Sequence, residues 1–156
     1  MSSGDESSAE GDFDRTAAEG GASRGFIVHV DELDSYEIAA GLFFRPLFAE
    51  NVSLNFVTFP SKSGFPSHVH PEEQISIVRQ GAMEFTVGDV TRVVRPGDVI
   101  VLPPNVPHSG RTLDEPCRLI DVFAPARAGI RVVIAEADPV RVAEADRWWY
   151  TGGETD

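Results

Sequence analysis

The stretch PSHVHPEEQISIVRQG, residues 66–81, holds two of the chain's four histidines one residue apart. It opens on turn-forming residues and ends in an alternating apolar run closed by a glycine, the pattern of a β-strand. Successive side chains of extended backbone point to opposite faces, so His68 and His70 share one face. Pro71 interrupts the ladder, and Gln74 resumes the same parity at the start of the apolar run. Two neutral imidazoles and a carboxamide oxygen converging from adjoining backbone are a donor set for a divalent metal ion.

The flanking sequence repeats the strand signal. FIVHV, VSLNFVTF, QISIVRQ, MEFTV, TRVVR, VIVLP, CRLIDVF and IRVVIAE are short runs rich in Val, Ile and Phe. Turn signals such as SKSG, RQGA, VGDV, RPGD and PPNVP separate them. Closely spaced strands with no long helical pattern predict an all-β chain built as an antiparallel sandwich or barrel. One exception is DPVRVAEADRWW, where Asp138 and Pro139 stand as N-cap and first residue of a short C-terminal helix. Residues 1–25, rich in Ser, Gly, Ala, Asp and Glu, are expected to be a disordered acidic tail, because they lack the apolar surface that offsets ordering entropy. Residues 26–136 then form the barrel and 137–156 a C-terminal extension.

Composition narrows the function classes. The 156 residues are 42% hydrophobic, enough for one ordinary core. A net charge of −12, with Lys62 the sole lysine, argues against nucleic acid or an anionic membrane as partner. The lone Cys117 excludes an internal disulfide and fits a reducing compartment. The N-terminus has neither a basic segment nor an apolar one, so it does not read as a secretory signal, and a cytoplasmic location is expected.

A second constellation lies in IDVFAPAR, residues 120–127. Strand parity puts Asp121 and Phe123 on one face, with Arg127 beyond the strand's end. If the strand opened by His108 pairs with this one, that face looks into the same cavity as the histidine pair. A buried aspartate is costly unless paired or functional. Asp121 is then a general acid/base, Phe123 a wall and Arg127 a clamp for a substrate carboxylate. The alternative is that Asp121 points outward and pairs with Arg118 or Arg79. His29, in FIVHV, reads as an ordinary strand histidine. Trp148 and Trp149 read as packing residues that cap the barrel, cover a partner or narrow its mouth.

Gly64, His68, His70, Gln74 and Gly81 resemble the first motif of the cupins, small jelly-roll barrels, although three residues rather than five separate Gly64 from His68. Gly97, Pro103 and His108 are similar to the second motif, with Asn105 in place of its inner glycine. The resemblance spans residues 41–127. It implies a jelly-roll barrel, an antiparallel double-stranded β-helix, with His108 joining His68, His70 and Gln74 around one divalent ion: zinc, nickel, manganese, iron or cobalt. Gln74 departs from the family's usual glutamate. Losing that negative charge favours a Lewis-acid role for the ion over an electron-donating one.

Within the cupins, the His/His/Gln/His set beside Asp-x-Phe-x-x-x-Arg resembles the small cupins of pectin and alginate degradation. That likeness implies an isomerase that linearises unsaturated uronates, with Asp121 moving protons and Phe123 and Arg127 shaping and anchoring the small-molecule substrate. Two other readings stay open. One is a cupin oxygenase or polyketide-type cyclase acting on an aromatic substrate, with Phe44, Phe56, Phe85 and Phe123 as pocket candidates. The other is a non-catalytic metal- or sugar-binding cupin. A homodimer is expected, with FIVHVDELDSYEI of a composition to add a strand to the partner.

Overall fold

A computed structural model of the chain describes residues 25–140 and 147–149. The expected tail at residues 1–25 lies almost wholly outside this range. Eleven strands and one helix follow in order: β1 Ser35–Ala39, β2 Leu42–Phe48, β3 Ser53–Phe59, β4 Gly64–His68, β5 Glu73–Gln80, β6 Met83–Val87, β7 Val90–Val94, β8 Val99–Leu102, β9 His108–Thr112, β10 Cys117–Ala124, α1 Ala128–Ala135 and β11 Pro139–Val140. They form a seven-stranded sheet ordered β11-β1-β2-β3-β10-β5-β8 and a four-stranded sheet ordered β4-β9-β6-β7. All pairings are antiparallel. The predicted all-β jelly roll is what the chain adopts.

Alternation of apolar and polar residues explains the layers. β3 buries every second residue from Ser53 to Phe59, and β10 buries Cys117, Leu119, Asp121 and Phe123. β10 pairs on both edges, with β3 and with β5, so its backbone groups are satisfied on both sides. Inward side chains from both sheets, among them Val57, Phe59, Val78, Met83, Phe85, Leu102 and Leu119, make one core cluster. A smaller cluster of Phe48, Phe123 and Ile130 sits under α1.

Three expectations about secondary structure need correction. IRVVIAE is not a strand: α1 spans most of it, with Ile130 buried and Ile134, one turn on, packed against the Phe48/Phe123 cluster. A short apolar run does not reveal its own period, and here tertiary packing selected the helix. Among the described residues the one α-helix therefore precedes Asp138, and residues 141–146 of the expected helix lie outside them. Pro139–Val140 instead pairs with β1 at the sheet's edge, where a residue without an N–H is tolerated. FIVHV is also not a strand; it leads into a 3-10 turn at Val30–Glu32, capped by the exposed His29 side chain. The SYEI part of the predicted partner-adding segment lies in β1, which pairs within its own chain, with β2 and β11.

Candidate metal centre

β4 and β9 set the centre. Their backbones approach so closely that a Cβ on Gly64 would collide with the Gly110 carbonyl. Gly64 pairs with Arg111 and Phe65 with Gly110, and a register shift between Phe65 and His68 then brings His68 directly opposite His108. Their ring centroids lie 4.3 Å apart, and the His70 ring is 4.9 Å from that of His108. His70 is held from the second motif, because the Asn105 N–H donates to the His70 carbonyl at 2.9 Å. Asn105 has φ of 61°, the left-handed conformation that glycine favours and asparagine tolerates, which explains how it stands in for the motif's glycine. One potential ligand atom from each of the three histidines lies within 4.8 Å of the others.

The second nitrogen of each ring shows which atoms those are. Nδ1 lies 2.9 Å from the Pro66 carbonyl in His68, 3.0 Å from the Glu72 carbonyl in His70, and 2.9 Å from the Val106 carbonyl in His108. A carbonyl accepts only, so each Nδ1 carries the ring proton and each Nε2 presents a lone pair. Burial, chiefly, pushes the pKa of His70 and of His108 below the ordinary imidazole value, which keeps both neutral. At His70 the consequence is a conflict. Its Nε2 lies 2.9 Å from Gln74 Oε1, so two acceptors face each other inside the barrel. Swapping the tautomer only moves the conflict to the Glu72 carbonyl. In His108, Nε2 is buried with no hydrogen-bond partner. A shared cation satisfies all these lone pairs at once, so the residues fit a divalent metal.

Phe65 packs edge-on to His68 at 5.5 Å and to His108 at 6.2 Å, and Phe85 stacks on His108 at 6.5 Å. These rings restrict imidazole rotation. Glu72 adds an oxygen 3.4 Å from His70 Nδ1.

Asp121 enters from the larger sheet. Contrary to expectation, β9 and β10 do not pair; they belong to opposite sheets and face each other across the barrel. The shared cavity survives that correction. In register, Asp121 is flanked by Ser76 and Asn55, and Phe123 by Gln74 and Ser53. Ser76 Oγ donates to Asp121 Oδ1 at 2.6 Å, and Gln74 Nε2 donates to Ser76 Oγ at 2.9 Å. Burial raises the Asp121 pKa to about 6, against the opposing pull of hydrogen bonding from the Ser76 and Gln74 side chains and of the Arg127 charge. The outward alternative fails. Arg118 donates to the Arg147 and Trp148 carbonyls, and Arg79 lies over the Trp149 ring.

The cavity encloses about 450 Å³, and His68, His108, Gln74, Asp121, Phe123 and Arg127 all line it. The Arg127 guanidinium sits 5.3 Å from the Phe123 ring centre. Of the aromatic candidates, Phe44, Phe85 and Phe123 line the cavity. Phe56 does not face it, because strand alternation turns it to the outer surface, where it packs edge-on to the buried Trp148. Both tryptophans thus lie on the sheet's outer side, and neither lines the cavity.

Sequence reasoning missed Ser76, Asn55, Phe65 and Glu72. Asn55 is buried on the cavity wall with its Oδ1 unpartnered. Its signal was available: Asn55 and Ser76 are polar residues on the inward parity of apolar strands. No described helix is long and apolar enough to cross a membrane.

Comparison with known proteins agrees with this architecture. Residues 55–123 match the cupin domain model. The chain is 33% identical over 72 residues to dimethylsulfoniopropionate lyase DddQ of Ruegeria pomeroyi, covering 46% of this chain and 36% of that protein. It is 38% identical over 73 residues to H2HPP isomerase of Bacillus subtilis, covering 46% and 30%. The matched segment is thus about a third of the length of either curated relative. Among solved structures, KdgF from Halomonas sp. superposes with a TM-score of 0.65 at 26% identity, covering 69% of this chain and 99% of that one. An RmlC-like cupin from Shewanella frigidimarina gives 0.63 at 26% identity, covering 69% and 96%. With the motif residues gathered in one jelly roll, residues 55–123 matching the cupin domain model and two cupin-like solved structures superposing over 69% of the chain, the barrel of this chain is similar to the cupin domain.

Proposed function

We propose that the chain is a metal-dependent cupin enzyme that isomerises or ring-opens a small carboxylate-bearing substrate, such as an unsaturated uronate, without net oxidation. The observation carrying this reading is the conflict of lone pairs at His70 and Gln74, beside a buried carboxyl group in the same cavity. His68, His70 and His108 through Nε2, and Gln74 through Oε1, would hold one divalent ion. Such an ion, when bound, supplies Lewis-acid stabilisation of negative charge developing on a substrate oxygen. The four ligands are neutral and leave the ion's charge uncompensated, which suits an anionic substrate despite the chain's net charge of −12.

The chain's own residues would do the rest. Asp121, with a pKa of about 6, is placed to accept a substrate proton and return it near neutral pH. Arg127 offers a fork of donors to a carboxylate, and Phe123 beneath it forms the wall. The curated relatives support non-redox chemistry, since one is named an isomerase and the other a lyase. The resemblance of the His/His/Gln/His set and the Asp-x-Phe-x-x-x-Arg strand to the small cupins of pectin and alginate degradation supports a sugar-acid substrate. The aromatic lining supports the oxygenase or cyclase as the second reading.

The test is turnover of a 4,5-unsaturated uronate, released by a polysaccharide lyase, with zinc- and nickel-loaded protein. Loss of the enoate's ultraviolet absorbance without oxygen uptake is the expected result. Oxygen uptake with an aromatic substrate, and none of this turnover, would replace the reading with the second one.

Asn55→Leu offers a further check. An unpaired buried acceptor awaiting a substrate hydroxyl predicts KM higher by about 10-fold, with folding stability equal or improved. Unchanged KM would remove Asn55 from substrate contact. A homodimer completes the proposal: Val99 and Val101 on edge strand β8, with Ile77 beside them, leave apolar side chains exposed on the larger sheet's outer face. Sedimentation velocity of the full chain reads this directly.

A further inference from the structure

Ser76 is fully buried, sits two residues beyond Gln74 on the same strand face, and touches both Gln74 and Asp121. A hydroxyl has one proton to give. The 2.6 Å contact directs that proton to the Asp121 carboxylate, so toward Gln74 the Ser76 oxygen only accepts. Gln74 must then turn its Nε2 to Ser76, at 2.9 Å, and its Oε1 to the histidines. The amide's two ends are nearly equal in size, so packing alone does not choose between them. The direction of the hydrogen-bond chain does.

We propose that Ser76 is a positioning residue: it transmits the acceptor character of Asp121 to Gln74 and thereby aims the Gln74 carbonyl oxygen at the metal centre. This inference rests on the proposed ligand set and adds the reason that a carboxamide serves there. Asp121 acts at one end as proton carrier and, through Ser76, at the other as the group that orients a ligand. A second carboxylate at position 74 would compete with Asp121 for the one Ser76 proton, whereas an amide completes the chain.

The experiment is titration of metal-free protein with cobalt(II), read by its visible absorption spectrum and by competition for affinity. Wild type, Ser76→Ala, Gln74→Ala and the double variant form a cycle. Outer partners of metal ligands typically change affinity by about 10- to 100-fold. Ser76→Ala is expected to weaken cobalt binding within that range and to alter the spectrum. Adding Ser76→Ala to Gln74→Ala should cost nothing more, because Ser76 acts only through Gln74. An unchanged spectrum and affinity in Ser76→Ala, or additive losses in the double variant, would overturn the inference while leaving the metal centre standing. Wild-type protein that binds no cobalt would overturn the centre and the inference together.

Discussion

Asp121→Asn is expected to slow turnover by about 10²-fold or more while raising the stability of the metal-free protein at neutral pH. Both effects have one cause. Burial lifts the carboxyl pKa from 3.8 to about 6, so the folded state holds this proton more tightly than the unfolded state does. Stability from this group is therefore complete below pH 3.8 and falls as pH rises through about 6. Above that, the ionised carboxylate costs the fold about 3 kcal/mol. Asparagine does not ionise and escapes this cost, although it cannot carry the proton. Thermal melts at pH 4 and pH 7.5 check the prediction: wild type should lose stability between them relative to the variant. Retained rate would put Asp121 outside the chemistry, and parallel melts would show that its charge is not desolvated.

The second large effect is expected from His70→Ala, which should lose bound metal and activity together while staying folded. The Asn105 N–H bonds the backbone carbonyl of residue 70 and so survives the substitution. What disappears is one Nε2, the imidazole nitrogen 2.9 Å from Gln74 Oε1. Elemental analysis should find well under one metal ion per chain, with an unchanged far-ultraviolet circular dichroism spectrum. Full activity in such metal-depleted protein would end the Lewis-acid proposal.

The jelly roll and the histidine centre were legible because they rest on short-range rules. Parity along β5 placed Gln74, the Gly64 and Gly97 motifs placed His68, His70 and His108, and parity along β10 placed Asp121 with Phe123. Relations set by tertiary contact were not legible. Nothing local in IRVVIAE tells a helix over Phe48 and Phe123 from a strand, and nothing local shows Pro139 reaching the edge of β1. The same holds for the approach of Asp121. Its face was readable, but its arrival from the sheet opposite His108 depends on strand order. Phe56 was misjudged for want of parity with Asn55. The inward parity of Ser76 was readable in the strand, but its part between Gln74 and Asp121 shows only once β5 and β10 are paired.

The central claim is that three imidazoles and one carboxamide share a single cation inside the barrel. Crystals of the metal-loaded protein, with diffraction recorded on either side of the metal's absorption edge, test it most directly. The account predicts one anomalous peak in the cavity, within bonding distance of Nε2 of His68, His70 and His108 and of Oε1 of Gln74. A peak elsewhere on the molecule, or Gln74 presenting its Nε2 to the histidines beside an empty cavity, would contradict it.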